Sequence, residues 1–338
     1  MNDSHWPHNV GKSWVEDTRS QQIRAMSASN LFPFPETSTR APKIIYQWSL
    51  PRAYHGPHSI NSTIEVTLVT QCSLDRLSRL ENQLSAWAGK TSVAVYVTPG
   101  SNRIDAERSV LSCIQNARNR SESVKNSNFD AVVSMVQGCG YDEPYPINYL
   151  RNVALLGARH QHLRFHLSLD TSAVLLVDVD FLPCHNLHAV LHSPKASLPI
   201  LVDRKVVVCA AFESTVTCPT SSFTELKKYV DNAEVEGFHL SHFPQGHSPT
   251  CFDSFFKASL EIIEEARESS SSIKEAEECW KRIYSIKYKD YFEPYIVMAS
   301  KDVPFYDERF QGYGLNKVSH LQTVAKYKYD DFVVLELV

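Results

Sequence analysis

The sequence predicts an α/β fold, a Rossmann-like, mostly parallel central sheet flanked by helices. Three observations carry that reading. Ala173–Val177 is a short apolar run rich in Val and Leu that meets Asp178 and Asp180 and is closed by Pro183. Such a run reads as a strand buried on both faces. From residue 64 to about 180, apolar runs alternate with helical stripes, the pattern of parallel strands joined by right-handed crossovers. A chain of 338 residues, 43% hydrophobic and 21% charged, is long enough to bury one large core or two modest ones.

Taken in order, residues 1–60 are rich in Ser, Pro, Asn and His and read as a loosely ordered tail whose aromatics, Trp48 among them, would pack it in places on the domain, and residues 61–338 read as the domain. Ile64–Thr70 is the first predicted strand. Leu74, Leu77, Leu80, Leu84 and Trp87 form a helical stripe with Ser73 placed to cap it. Ser92–Val97 is a second strand, ended by Pro99 and Gly100. A helix over 103–117, a polar loop over 118–128 and a strand at Ala131–Val136 follow. Pro144 and Pro146 lead into a helix from Ile147 to about Arg159, before the strand that ends at Asp178. Beyond it come a short helix near 185–192, a strand at Lys205–Phe212, a helix at Ser222–Asn232 and a loop at Gly237–Pro249. A charged helix over Ser254–Glu268 leads into a solvated insertion, placed at 265–280 around Ser269–Ser272. Phe292–Met298 returns to the sheet, Asp307–Gly314 is a loop and Phe332–Leu337 is the last strand.

Composition excludes several classes. A net charge of -4 leaves no basic footprint for nucleic acid. No G-x-G-x-x-G follows the first strand, which disfavours a dinucleotide oxidoreductase. The eight cysteines include no C-x-x-C pair, and an even count leaves the redox compartment undecided. No stretch reaches the roughly 18 apolar residues of a membrane span. The start, Met1-Asn-Asp-Ser-His-Trp-Pro7, lacks the form of a signal peptide. Sequons at Asn2, Asn61 and Asn119 accept glycans only in a secretory compartment.

Asp178 and Asp180 carry the first chemical signal. In α/β sheets the ligand crevice lies at the carboxyl ends of the strands, where these residues stand. Residues i and i+2 of a strand share a face, so one bend would aim both carboxylates at a single hard cation, which would in turn neutralise a diphosphate. The rival reading has them stop the strand and face water.

Several motifs then occur in a recognisable order. They are Val66–Gln71, Leu74-Asp-Arg-Leu77, Tyr145-Pro-Ile-Asn-Tyr-Leu-Arg-Asn-Val-Ala154, Val177–Pro183, Gly246-His-Ser-Pro-Thr250, Phe292-Glu-Pro-Tyr295 and Tyr306–Lys317. Over about residues 64–338 the chain resembles the LARGE-type glycosyltransferase family. The resemblance implies a GT-A fold, a manganese (or magnesium) ion and an inverting transfer of glucuronic acid from UDP-glucuronate onto xylose or another glycan or glycoprotein acceptor. It also implies a type II membrane protein of the Golgi lumen, although no anchor is visible in the sequence. Asp180 is the first choice as metal ligand, with Asp178 sharing the ion or holding the ribose. Thr70, Arg151 and Asn152 are the other expected nucleotide-sugar contacts. The planar guanidinium of Arg151 suits a phosphate or sugar carboxylate, or else lies on the helix surface. His247, Gly312, Tyr313 and Lys317 are expected at the sugar or acceptor, against the alternatives of a satisfied loop histidine, a structural turn and a solvated lysine. Glu293, Asp307 and Glu308 are candidates for the base that takes the acceptor proton, with Glu293 and Asp307 put first. Family members carry a histidine-bearing segment after the last strand that completes the metal site. The sequence ends at Val338 short of it, and His320 comes too early to match. The expectations are therefore a truncated sequence or, as the alternative function, an inactive family member that binds nucleotide or glycan.

Overall fold

A computed structural model of the chain describes residues 43–50, 64–87, 89–120, 129–164, 169–184, 186–215, 223–257, 284–312, 314–327 and 332–335. Its centre is a nine-stranded sheet. In sheet order the strands are β1 (Lys43–Leu50), β4 (Ala131–Gln137), β3 (Lys90–Val97), β2 (Glu65–Ser73), β5 (Ser172–Leu176), β10 (Tyr295–Ala299), β6 (Val206–Cys209), β11 (Phe332–Leu335) and β9 (Tyr284–Ile286). The run β4–β3–β2–β5 is parallel throughout. Every residue of β3 and β5 is buried, as continuous apolar runs require when both faces are covered.

Two helices cover one face of that run. α1 (Leu77–Ala86) and α2 (Arg103–Arg120) bury Leu80, Leu84, Val110 and Ile114 against Val93, Val95 and Val133. α3 (Ile147–Arg164) covers the other face and packs Leu150, Val153, Ala154 and Ala158 onto Val69, Ala94 and Val174. Gly157 lets α3 approach closely: a Cβ there would lie 2.4 Å from Ser92 Oγ, and that hydroxyl donates to the Ala154 carbonyl at 2.6 Å. The expected layered α/β architecture is therefore present.

Beyond β5 the sheet changes character. β10 runs antiparallel to both β5 and β6, with Ile296 opposite Leu176 and Tyr295 opposite Cys209. The short helix α4 (Leu187–Leu191) buries Leu187, Val190 and Leu191 on this side. The strand expected at Lys205–Phe212 breaks at Ala210. Its end, β7 (Phe212–Ser214), pairs with β8 (Val235–Gly237) in a separate two-stranded sheet beside α5 (Phe223–Asp231).

Four further expectations need correction. The tail placed at 1–60 contains β1, which pairs antiparallel with β4 from Lys43↔Gln137 to Leu50↔Ala131. Its apolar stretch, Ile44-Ile-Tyr-Gln-Trp-Ser-Leu50, was concealed by the polar composition around it. Ser73 donates to Asp75 at 2.5 Å and makes no cap bond, and α1 starts only at Leu77. The loop expected at Gly237–Pro249 contains the helical turn α6 (Pro244–His247). Finally, a helix not anticipated, α7 (Asn316–Tyr327), seats Val318, Leu321 and Val324 in the core. The charged helix is seen over 252–257, and the insertion at 265–280 lies outside the described residues.

Candidate active site

β2 and β5 end at the edge of the sheet where β10, running the other way, begins. A cleft of about 1620 Å³ opens there, lined among others by Asp178, Asp180, Arg151, Glu293, Tyr295 and Lys317. Asp178 and Asp180 lie in a turn rather than on the strand. The Phe181 N–H donates to the Asp178 carbonyl at 3.1 Å, and the Gln83 amide of α1 donates to the carbonyls of Asp178 and Phe181 at 2.9 and 2.7 Å. The turn ends the alternation of the strand, so the two carboxylates have different surroundings.

Asp178 points inward. Its Oδ1 accepts from Arg151 Nη2 at 2.9 Å, its Oδ2 accepts from the Tyr295 hydroxyl at 3.1 Å, and Lys317 Nζ stands 3.6 Å away. Burial alone would raise its pKa, but Arg151 and Lys317 outweigh that and hold the carboxyl well below the usual carboxylate range. Arg151 is not a surface residue. It is 8% exposed, donates also to Asn316 Oδ1 at 2.6 Å and Asn148 Oδ1 at 3.2 Å, and lies 5.1 Å from the Tyr306 ring. Lys317, also buried, sits 4.1 Å over the Tyr295 ring. Burial lowers its pKa, against the opposing pull of Asp178 and Glu293.

Asp180 points outward to α1. It accepts from Arg76 Nη1 at 2.6 Å and from Arg79 Nη1. Neither arginine was singled out from the sequence. Arg76 lies inside the quoted Leu74–Leu77 motif, and Arg79 follows three residues later, so helical spacing was the available signal. Among the described residues no group of three or more His, Cys, Asp or Glu side chains gathers as a metal cage. A divalent ion bound by one or two carboxylates and completed by phosphate and water needs no such cage. Asp178 and Asp180 are carboxylates of that kind, each held by cationic side chains in this structure.

The structure separates the three candidate bases. Glu293 lines the cleft, half-buried, with its N–H donating to the Gly246 carbonyl at 2.9 Å; among the described residues its carboxylate makes no hydrogen bond or ion pair and acts on Lys317 and Tyr295 through its charge alone. Gly246 permits this packing, since a Cβ would meet the Phe243 ring at 2.6 Å and Glu293 Cγ at 3.3 Å. Asp307 is instead engaged by Arg309 through both oxygens, at 2.9 and 3.0 Å to Nε, away from the cleft lining. Glu308 accepts from Asn152 at 2.8 Å.

The other expected site residues divide in the same way. Asn152 is buried, and both ends of its amide hold the Tyr306 backbone at 2.8 and 2.9 Å, so it clamps a loop and does not line the cleft. Thr70 is buried beneath the site in a small cavity of about 20 Å³, its hydroxyl without a partner. Its neighbour Gln71, which accepts from the Tyr145 hydroxyl, lines the cleft. His247 is not a loop residue but is buried behind the wall, edge-on to Phe238 at 4.9 Å with Nε2 unpaired. Burial and Lys317 bring its pKa down to about 3, which keeps it neutral. Gly312 and Gly314 line the cleft in left-handed conformations, φ 66° and 101°, while Tyr313 lies outside the described residues. His320 packs in the core, stacked on Tyr306 at 3.7 Å. Tyr295, Asn316 and the aromatic wall of Phe181 and Phe238 complete the site, with Phe181 4.5 Å from Tyr295 and 4.6 Å from Phe238. Sequence reasoning did not assign them.

Comparison with known proteins bears on what this cleft does. Residues 65–136 and 102–338 match the family described as "Glycosyl-transferase for dystroglycan". The chain belongs to this glycosyltransferase family. Over 273 residues it is 30% identical to "Xylosyl- and glucuronyltransferase LARGE2s" of Gallus gallus, covering 80% of this chain and 31% of that protein. It is 31% identical over 282 residues to LARGE2 of Mus musculus, covering 80% and 33%. To LARGE1 of Homo sapiens it is 29% identical over 274 residues, covering 80% and 30%. The chain thus spans about a third of the length of these relatives. As a member of the family it has the expected GT-A fold, with the mostly parallel central strands on which the site is built.

Proposed function

We propose that this chain transfers a sugar, glucuronic acid in the first instance, from its UDP conjugate to a hydroxyl of a glycan or glycoprotein acceptor such as xylose, with inversion and with the help of a divalent cation. One observation carries the reading. Glu293, whose carboxylate makes no hydrogen bond or ion pair among the described residues, lines the same cleft as the Asp178–Asp180 turn, which would pair a base with a diphosphate site. The names of the relatives, which join xylosyl and glucuronyl transfer, support the choice of sugar.

In the proposed reaction the acceptor oxygen attacks the anomeric carbon and its proton passes to Glu293. The bond from that carbon to the diphosphate oxygen breaks, and the electron pair leaves with the diphosphate. Asp178 and Asp180 would hold manganese or magnesium, which as a Lewis acid stabilises that leaving charge. Arg151 and Tyr295 fix the Asp178 carboxylate. Lys317 holds a buried positive charge beside Asp178 at the floor of the site, and the Phe181–Phe238 wall gives a sugar ring an apolar face to rest on.

Calorimetric titration with UDP, with and without manganese, and UDP release from UDP-glucuronate test this reading, with Asp180→Asn beside wild type. Asn keeps the size and removes the charge that holds a hard cation, so the variant is expected to melt as wild type does and to lose turnover by orders of magnitude. Absence of UDP binding in wild type overturns the proposal. Binding without turnover in wild type identifies a binding module instead. Among the described residues no helix is long and apolar enough to cross a membrane. Residence in the Golgi lumen follows from the same reading, and imaging of the tagged full-length protein checks it.

A further inference from the structure

Among the described residues four cationic side chains pair with Asp178 or Asp180, and they are not equivalent. The side chains of Arg151 and Lys317 are each 10% exposed and committed inward, to Asp178, Asn148, Asn316 and the Tyr295 ring. Arg76 and Arg79 are 46% and 58% exposed and line the cleft. Their shared partner Asp180 is itself 33% exposed and brings one negative charge to two guanidinium groups. Asp75, the other carboxylate beside them, is engaged by the Ser73 hydroxyl at 2.5 Å.

We infer that Arg76 and Arg79 form the diphosphate-binding fork of the cleft, positioned by Asp180 and transferred from it to the two phosphates of the donor. The inference rests on the reading that the cleft takes a nucleoside diphosphate sugar. Ion pairs this exposed contribute little, so exchanging the carboxylate for phosphate oxygens meets little resistance. Guanidinium–phosphate bonds are charge-assisted and bidentate, and the planar fork loses little freedom in making them. Residues three apart at a helix start lie on the same side, roughly 5–6 Å between Cβ atoms, a spacing suited to adjoining phosphate groups. The exchange also frees an oxygen of Asp180 for the cation.

The test compares UDP with uridine, which lacks both phosphates, by calorimetry and ligand-observed NMR. Wild type is set beside Arg76→Ala/Arg79→Ala and Arg76→Lys/Arg79→Lys. The Ala pair is expected to weaken UDP binding by roughly 100-fold while leaving uridine unchanged, and the Lys pair to recover part of the loss. A UDP affinity within about twofold of wild type in the Ala pair overturns the inference. So does an equal loss for uridine, which would mean a structural role. A wild type that ignores UDP overturns the underlying reading and this inference with it, whereas a wild type that binds UDP beside an unaffected Ala pair overturns the inference alone.

Discussion

Replacing Arg151 by Met keeps the length and packing of the side chain and removes its charge. The loss is legible in the structure: the 2.9 Å pair to Asp178 and the bonds to Asn316 and Asn148 at 2.6 and 3.2 Å. Breaking a buried ion pair by removing one partner costs about 3–5 kcal/mol. Here Asp178 keeps Tyr295 and Lys317 and is 27% exposed, so the lower end applies, about 3 kcal/mol. Melting is expected to fall by about 4 °C. The pH dependence changes too. In wild type the depressed Asp178 pKa contributes stability that is fully present above the ordinary carboxylate pKa and is lost progressively as pH falls below it into strong acid. In the variant that contribution shrinks, and its loss, which starts at the same pH, is complete at a higher one. Denaturant unfolding of Arg151→Met, Asp178→Asn and the double variant closes a cycle, with an expected coupling of about 1–3 kcal/mol in favour of the native pair. Additivity within about 0.5 kcal/mol, with all four proteins folded, would refute the claim that Arg151 acts by holding Asp178.

Other predictions address the rest of the site. Glu293→Gln is expected to bind UDP as wild type does and to lose about 10²–10⁴ in kcat; a kcat within tenfold of wild type, measured by UDP release, removes Glu293 as the base. Asn152→Ala should destabilise by about 2 kcal/mol through the freed Tyr306–Glu308 loop without changing UDP affinity, which calorimetry and melting separate. His188, His247 and His320 are each brought by burial to about 3 from an ordinary 6.5. Below pH 6.5 the unfolded chain therefore binds protons that the folded chain refuses, and stability falls as pH drops from 6.5 toward 3, by about 1.4 kcal/mol per pH unit for each histidine. His320→Phe should lower proton uptake on unfolding at pH 5 by one, read from melting against pH.

The strands of the parallel half were legible because burial on both faces leaves a continuous apolar run, as at Ala173–Val177. The position of the cleft was legible for the same reason: carboxylates placed just after such a run stand at the mouth of the sheet. What Asp178 and Asp180 touch was not. The turn that sends one inward and the other outward depends on Gln83, 95 residues away from Asp178 and without a chemical signature of its own. The roles of Asn152 and Glu293 were opaque in a similar way. An amide that clamps a loop and one that binds a ligand are the same residue in sequence, and only the loop brought against it tells them apart. α7 was readable in principle from Val318, Leu321 and Val324, but the glycines before it drew attention to a loop instead.

The reversed strand β10 gives the site an order of assembly. Arg151 lies 27 residues before Asp178, whereas Tyr295 lies 117 after it, and Asn316 lies 165 residues from the Arg151 it binds. During synthesis the first five strands and α1–α3 emerge together and can pair through relatively local contacts. At that stage Asp178 has Arg151 for company, and Asp180 has Arg76 and Arg79. The residues that would abstract a proton and complete the cationic floor, Glu293 and Lys317, are still to be made. A nascent chain can thus own the formed Asp178–Asp180 end of the cleft while lacking the Glu293–Lys317 end, and it gains the second only when β10 takes its place between β5 and β6 and α7 follows.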